Sequence, residues 1–373
     1  MLSLLWRDKR LLQSEGEILR GFICFFSNHV VTQLLPISDF WQAPGPILDV
    51  RSPGEYTQGH LPEALSFPLF SDEERTQVGT CYKQQGQETA VELGLELVAP
   101  KMVSLVKQAK ALAPERQVRV HCWRGGMRSG SVGWLLETSG LEVKLLKGGY
   151  KAFRHWVRTT LATPRTLIVV GGMTGTGKTD ILHALRKLGE QVLDLEGLAN
   201  HRGSSYGALM LPPQPSTEQF ENLIAEQWAT FNPQRPVWVE AESRRVGTCR
   251  VPEELVDQME AAHTLEVVRS ESERLAILVD VYGQANPDEL TAATERLRKR
   301  LGGLRTQEAI QHIKRGELAD AAAIILTYYD RTYRHDLVRR GKEIPKIDIA
   351  EMSVLQAAQH LLGQVNHWGW YNS

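Results

Sequence analysis

Two short stretches of this sequence hold residues whose types and spacing could do chemistry. The first is V-R-V-H-C-W-R-G-G-M-R-S-G-S, residues 118–131. An apolar, strand-like run ends in His121-Cys122, a loop with Gly125 and Gly126 follows, and Arg128-Ser129 opens a helix-like segment. Glycines let backbone N–H groups turn inward, and a helix N-terminus adds partial positive charge. Together with Arg124 and the planar fork of Arg128, this makes a cradle for an oxyanion. A cysteine at the mouth of such a cradle is expected to have a depressed pKa and to act as a nucleophilic thiolate. The bland alternative is a core cysteine at a strand end, which needs no Gly-Gly-x-Arg after it.

The second stretch is G-G-M-T-G-T-G-K-T-D, residues 171–180. Gly172 to Thr179 satisfies G-x4-G-K-T, between an apolar strand pattern at Arg165–Val170 and an amphipathic helix pattern at Ile181–Leu188. Gly172, Gly175 and Gly177 would let the backbone wrap phosphates. Lys178 would reach the outer phosphates, and Thr179 could hold a magnesium ion. Downstream, V-W-V-E-A-E (residues 237–242) is an apolar run ending in acids. It could be the second acidic strand of a P-loop domain, with Glu240 or Glu242 near a metal or a water, or equally a strand end capped by solvated acids. The loop N-H-R-G-S-S-Y-G-A-L-M-L, residues 200–211, is expected at the phosphate face.

Positive charge clusters locally. Arg244 and Arg245 follow the acidic run. Arg296, Arg298, Lys299 and Arg300 form the densest basic run, and Arg331 and Arg334 add more. Each is most simply a solvated charge. Yet Tyr328, Tyr329 and Tyr333 interleave with them, a pattern suited to stacking and phosphate contacts with RNA. The tail H-W-G-W-Y (residues 367–371) is aromatic and reads as a packed end of the chain.

Elements must position these loops. Strand-like Pro46–Val50, a turn and helix start at Ser52-Pro53 with Glu55 in the first turn, and a strand at Ala64–Leu69 lead the first half. A helix at Lys101–Leu112, strands at Gln117–His121 and Val143–Leu146, and the glycines 148 and 149 complete it. Strands alternating with helices imply a parallel sheet covered on both faces, with ligands at the carboxyl ends of its strands. Thr163-Pro164 suggests a boundary; Gln191–Leu195 is a strand of the second half, and from Pro252 onward the chain reads as mostly helical. The expected domains are an extension at 1–36, an α/β domain at 37–160, and an α/β P-loop domain at 161–373 with a helical, basic C-terminal part.

The composition permits this. The chain has 373 residues, 42% hydrophobic and 23% charged, with a net charge of −1. A near-neutral chain needs a local patch to bind nucleic acid. Cys24, Cys81, Cys122 and Cys249 are widely spaced with no CxxC pair, which argues against a disulfide framework or zinc site. No apolar run approaches the roughly 18 residues of a membrane span. The start M-L-S-L-L-W-R-D-K-R has its charges in the wrong order for a signal peptide. A cytoplasmic location without membrane association is expected.

From the residues alone, a Cys-dependent phosphatase, a P-loop small-molecule kinase with an accessory domain, a scaffold, and a sulfur- or selenium-transfer enzyme compete. No isolated Asp is placed as an evident general acid for a phosphatase. D-V-R-S-P-G-E-Y with G-H-L-P-E-A, the cysteine loop, and L-L-K-G-G-Y-K-A-F-R together resemble a rhodanese domain. The pairing of C-W-R-G-G-M-R-S with G-G-M-T-G-T-G-K-T, then H-R-G-S-S-Y-G and V-E-A-E-S-R-R-V-G, is similar to the tRNA 2-selenouridine synthase family. The resemblance covers about residues 37–365. It implies replacement of the 2-position sulfur of wobble 2-thiouridine by selenium from selenophosphate, through an S-geranylated intermediate made from geranyl diphosphate. It puts the family's catalytic cysteine, which would carry selenium, on Cys122. It also implies tRNA, through its wobble-uridine anticodon, as partner. No firmly bound cofactor is expected beyond the magnesium ion that Thr179 could hold.

Overall fold

The computed structural model describes residues 33–371, except 341–343 and the side chains of 334–340. Residues 1–32 of the expected extension and the side chain of Arg334 therefore lie outside the described residues. The chain divides into two compact units at Trp156/Val157.

The first unit contains β1 (Gln33–Leu35), α1 (Ile37–Gln42), β2 (Ile47–Asp49), α2 (Pro53–Gln58) and β3 (Leu65–Ser66). Then come α3 (Asp72–Gln85), α4 (Gln87–Val98), α5 (Met102–Leu112), β4 (Gln117–His121), α6 (Met127–Thr138), β5 (Glu142–Leu146) and α7 (Gly149–Leu161), which runs into the second unit. The sheet order is β1-β5-β4-β2-β3, and all pairings are parallel. α2 starts at the expected Ser52-Pro53, where Ser52 and Glu55 form a capping box. The expected strand at Ala64–Leu69 shrinks to two residues, and Phe67 and Leu69 beyond it are buried in the core with Leu48 and Val50. Val118, Val120, Val132, Leu136 and Val143 close that core around the strand that leads into Cys122.

The second unit contains β6 (Leu167–Gly171), α8 (Lys178–Lys187), β7 (Gln191–Leu193), α9 (Leu195–Leu198), α10 (Thr217–Thr230) and β8 (Val237–Glu240). A short antiparallel pair, β9 (Arg245–Val246) and β10 (Cys249–Arg250), precedes α11 (Glu253–Ala261) and β11 (His263–Val268). The helices α12 (Glu271–Tyr282), α13 (Pro287–Arg296), α14 (Arg298–Leu301), α15 (Gly303–Arg315) and α16 (Leu318–Arg340) follow, then β12 (Lys346–Asp348) and α17 (Val354–His367).

The five-stranded parallel sheet runs β12-β11-β6-β8-β7. The segment after Pro252 is mostly helical, as expected, but it also supplies two strands that were not expected: β11 lies directly against the P-loop strand, and β12 lies beside β11. Both strands are short, and their apolar runs are buried among helices, where periodicity does not separate strand from helix. The aromatic tail packs as expected: Trp370 stacks on His263 at 4.6 Å, and Tyr371 donates its hydroxyl to Glu190 at 2.8 Å. Among the described residues no helix is long and apolar enough to cross a membrane.

Candidate functional site

In the first unit the chemistry gathers where β4 hands over to α6. Cys122 is buried, and its Sγ lies 3.2 Å from the Ser129 hydroxyl. Burial pushes the thiol up. The Ser129 hydroxyl and the backbone N–H groups of Ser129, Arg124 and Gly126 more than reverse this, leaving the pKa below its ordinary value. Gly125 has φ 64°, and a Cβ there would meet the Leu146 carbonyl oxygen at 2.7 Å, so only glycine fits this turn.

Two arginines of the loop differ from the simple cradle. Arg124 is exposed and contributes its backbone N–H. Arg128 is not a free fork: Nη1 donates to Glu55 at 2.7 Å and Nη2 at 3.3 Å. Its charge still favours a thiolate at Cys122, but an incoming anion would share it with a carboxylate.

Beneath the loop lies a buried polar pair that sequence reading did not single out. Arg51 and Asp49 are fully buried and joined at 2.6 Å, and the Arg51 guanidinium lies 3.8 Å from the Tyr150 ring centroid. Tyr150 in turn donates its N–H to the Cys122 carbonyl at 2.8 Å. Burial lowers the His121 pKa to about 4, so this ring is neutral and supplies no charge to the cysteine. An acid two residues before a base, D-V-R at a strand end, is the signal that marks such a brace.

In the second unit the P-loop leaves β6 at the centre of the sheet. Gly172, Gly175 and Gly177 all have positive φ. At Gly172 a Cβ would meet the Val267 carbonyl oxygen at 2.9 Å. Lys178 Nζ donates to the Gly172 carbonyl at 2.9 Å, so its ammonium lies over the loop. Arg274 fixes the loop from outside, through Nε to the Thr174 carbonyl at 2.8 Å and a two-point bond to Asp330 at 3.0 and 2.5 Å. Arg269 Nε does the same for the Thr176 carbonyl at 3.2 Å. These braces come from the turn after β11 and from the helices that follow it.

The two acids expected at the end of β8 are both present and neither is a solvated cap. Glu240 is 2% exposed, and its Oε1 accepts from the Glu196 N–H at 2.7 Å. Glu240 Oε2 has no partner among the described residues, and burial pushes the carboxyl well up. A third acid joins them: Glu196 Oε2 accepts from the Thr179 hydroxyl at 2.9 Å. Asp194 and Glu196 follow β7 as D-x-E, a signal visible in the sequence once that strand is known to lie beside β8. The loop 200–211 does close on these acids: a Cβ at Gly203 would meet Glu196 Oε1 at 2.8 Å and Glu242 Oε1 at 3.0 Å.

Burial, then the neighbouring Glu196 carboxylate, raise the Glu242 pKa to about 8. Between its ordinary value of 4.5 and about 8, the folded chain holds a proton here that the unfolded chain has released. Stability therefore falls as pH rises through that window. Glu242→Gln should shrink the loss of Tm across the window, measured by calorimetry; an unchanged slope would place the titration elsewhere.

The basic candidates are dispersed. Arg244 bonds Glu260 at 3.2 Å, and with Arg245, Arg158 and Arg250 it lines a groove of about 1120 Å³ that reaches Glu242. Arg296 donates to the Ser205 carbonyl at 2.8 Å, Arg298 pairs with Glu295, and Arg331 donates to the Arg300 carbonyl at 3.2 Å. Lys299 is exposed. The tyrosines are not an open stacking platform. Tyr329 accepts at its hydroxyl from the Ser205 N–H at 3.0 Å and Tyr328 packs against it, ring centroids 5.0 Å apart. Tyr328 and Tyr329 pack against an apolar cluster rather than standing outward.

A cysteine loop at the end of a strand in one parallel sheet, and a glycine-rich P-loop backed by acids in another, define a two-domain α/β protein. The family pattern described as a rhodanese-like domain matches residues 36–155, and that described as the tRNA 2-selenouridine synthase AAA domain matches residues 165–362. A relative from Marinobacter nauticus, named tRNA 2-selenouridine synthase, is 36% identical over 339 residues, covering 80% of this chain and 90% of its own length. Relatives of the same name from Shewanella denitrificans and Pseudomonas putida strain KT2440 are 33% and 36% identical, covering 84% and 80% of this chain and 94% and 90% of their own. The chain belongs to the tRNA 2-selenouridine synthase family.

Proposed function

We propose that this chain converts wobble 2-thiouridine of tRNA to 2-selenouridine in two steps. In the first, the 2-position sulfur attacks C1 of geranyl diphosphate. A sulfur–carbon bond forms, the carbon–oxygen bond breaks with its electron pair on diphosphate, and the N3 proton passes to water. The P-loop holds the diphosphate, and Lys178 neutralises the charge that develops on it. In the second step the selenium of selenophosphate attacks C2 and forms a carbon–selenium bond. The carbon–sulfur bond breaks, and the alkylated sulfur leaves as geranylthiol. Water cleaves the phosphorus–selenium bond, releasing phosphate and returning a proton to N3. Selenophosphate, a tetrahedral anion, sits against the N–H groups of the 124–129 loop, and Cys122 is the reactive sulfur there.

A single observation carries the reading: Cys122 Sγ is met by three backbone N–H groups and a hydroxyl in a chain whose family is named for selenouridine synthesis. The donor set beside the P-loop, Thr179 Oγ1 with the Glu196 and Glu242 carboxylates, is all hard oxygen, and Glu240 has one buried oxygen with no partner among the described residues. It fits magnesium, which would offset phosphate charge when bound. The test is mass spectrometry of wobble nucleosides from cells with and without the protein. Loss of 2-selenouridine supports the reading; unchanged nucleosides with altered phosphorylated metabolites would support a kinase or phosphatase instead.

The tRNA backbone meets Arg244, Arg245, Arg296, Arg298, Lys299, Arg300, Arg331 and Arg334 in this reading. Charge reversal across Arg296, Arg298, Lys299 and Arg300 should weaken tRNA binding and flatten its salt dependence, by roughly 0.7–0.9 in the log–log slope for each phosphate no longer neutralised. Titration at several salt concentrations measures this, and an unaltered slope returns the run to a solvated helix face.

A further inference from the structure

The cysteine loop carries a side chain that the chemistry assigned to it does not use. Trp123 follows Cys122 directly, yet it keeps 37% of its surface in water. Single exposed aromatics are ordinary on protein surfaces. Three features set this one apart.

The indole is held from behind. Its ring packs on Tyr150 with centroids 5.6 Å apart, tilted by 44°. Tyr150 is fully buried, and the Arg51 guanidinium lies 3.8 Å from its ring centroid. The same guanidinium lies 5.9 Å from the Trp123 ring centroid. The backbone is pinned as well, for the Trp123 carbonyl accepts from the Lys151 N–H at 2.9 Å. An indole with a rigid stack beneath it loses little freedom when a flat partner covers its open side.

The neighbours are cationic. Arg124 and Lys151 are both exposed, one next to Trp123 in the chain and the other bonded to its carbonyl. An aromatic ring flanked by positive side chains suits an unpaired nucleotide: the base stacks and the phosphates meet the cations. Tyr328 and Tyr329 of the second unit do not offer this, because they pack against an apolar cluster. The last feature is position. A uridine whose C2 must come to the Cys122 loop has to leave its own stack. Trp123 is the aromatic residue of that loop, C-W-R-G-G-M-R-S.

We propose that Trp123 is a positioning residue on which the target uridine stacks, with Arg124 and Lys151 meeting the phosphates on either side of it. The inference rests on the reading of Cys122 above and adds what orients the base there.

The experiment follows selenium incorporation from selenophosphate into S-geranylated 2-thiouridine tRNA by the full chain. Trp123→Leu keeps an apolar side chain against Tyr150 but offers no ring face. It should lower kcat/KM about ten- to a hundredfold, the span set by loss of one base–aromatic stack. Trp123→Phe should restore most of this, because the smaller ring still stacks. The pH at which Cys122 becomes half-reactive toward iodoacetamide, read on its own peptide by mass spectrometry, should stay put in both variants. A loop merely propped by the indole would shift it. An anticodon stem-loop with 5-iodouridine at the wobble position should cross-link to Trp123 on irradiation. Unchanged kcat/KM in the leucine variant, a phenylalanine variant no better than leucine, a shifted Cys122 midpoint, or cross-links confined to the second unit would each overturn the platform and leave the Cys122 reading standing. A wild-type chain that incorporates no selenium overturns both.

Discussion

Cys122→Ser is expected to abolish selenium incorporation into tRNA, a loss of at least about 10³-fold. The physical reason is narrow. The loop holds N–H donors and a hydroxyl on one sulfur, and these groups favour an anion there against the cost of burial. A serine hydroxyl in the same place ionises far above neutral pH and gains too little from the same donors to become a nucleophile. The change is nearly isosteric, so Val118, Val120 and Val132 around it should keep their packing. The variant should still attach the prenyl group, and S-alkylated tRNA should accumulate. Nucleoside mass spectrometry with selenophosphate as donor reads both products at once. Full incorporation by the variant would remove Cys122 from the mechanism.

Lys178→Ala is expected to lower prenyl transfer by about 10²–10³-fold, the usual cost of removing one preorganised charge from a developing anion. Its ammonium lies over the Gly172 carbonyl, in the loop that Arg274 and Arg269 fix from outside. Loss of the ammonium leaves that frame intact, so the fold should survive and the defect should lie in diphosphate binding and departure. Synthetic S-prenylated tRNA offered to the variant should still accept selenium. Unchanged prenyl transfer, alongside lost nucleotide binding, would make the P-loop a nucleotide site.

The particular residues show why some features were legible and others were not. Gln117–His121 appeared at its expected bounds because an apolar run ending in a glycine-rich loop is a local pattern. The P-loop likewise is eight consecutive residues whose meaning is contained in their order. Glu196 could not be weighed from the sequence, because its role depends on β7 lying beside β8. Arg274 and Asp330 are 56 residues apart, and nothing local ties either to Thr174. Arg128 was legible as a charge near Cys122, but its partner Glu55 is 73 residues away. The tyrosines at 328, 329 and 333 kept their helical spacing, yet which face the helix buries is decided by its neighbours.

The amino-acid order by itself determined the two reactive loops, the parallel α/β class and the membership these motifs carry, because each depends on contiguous glycines, strands and helix starts. Only the tertiary structure decided which acids surround Thr179, which carboxylate shares Arg128, that the late segment supplies two strands to the sheet, and that Trp123 rests on a buried Tyr150 beside Cys122. Those features arise from side chains brought together across long separations by burial of the sheet faces, and proximity of that kind leaves no periodic trace in the chain.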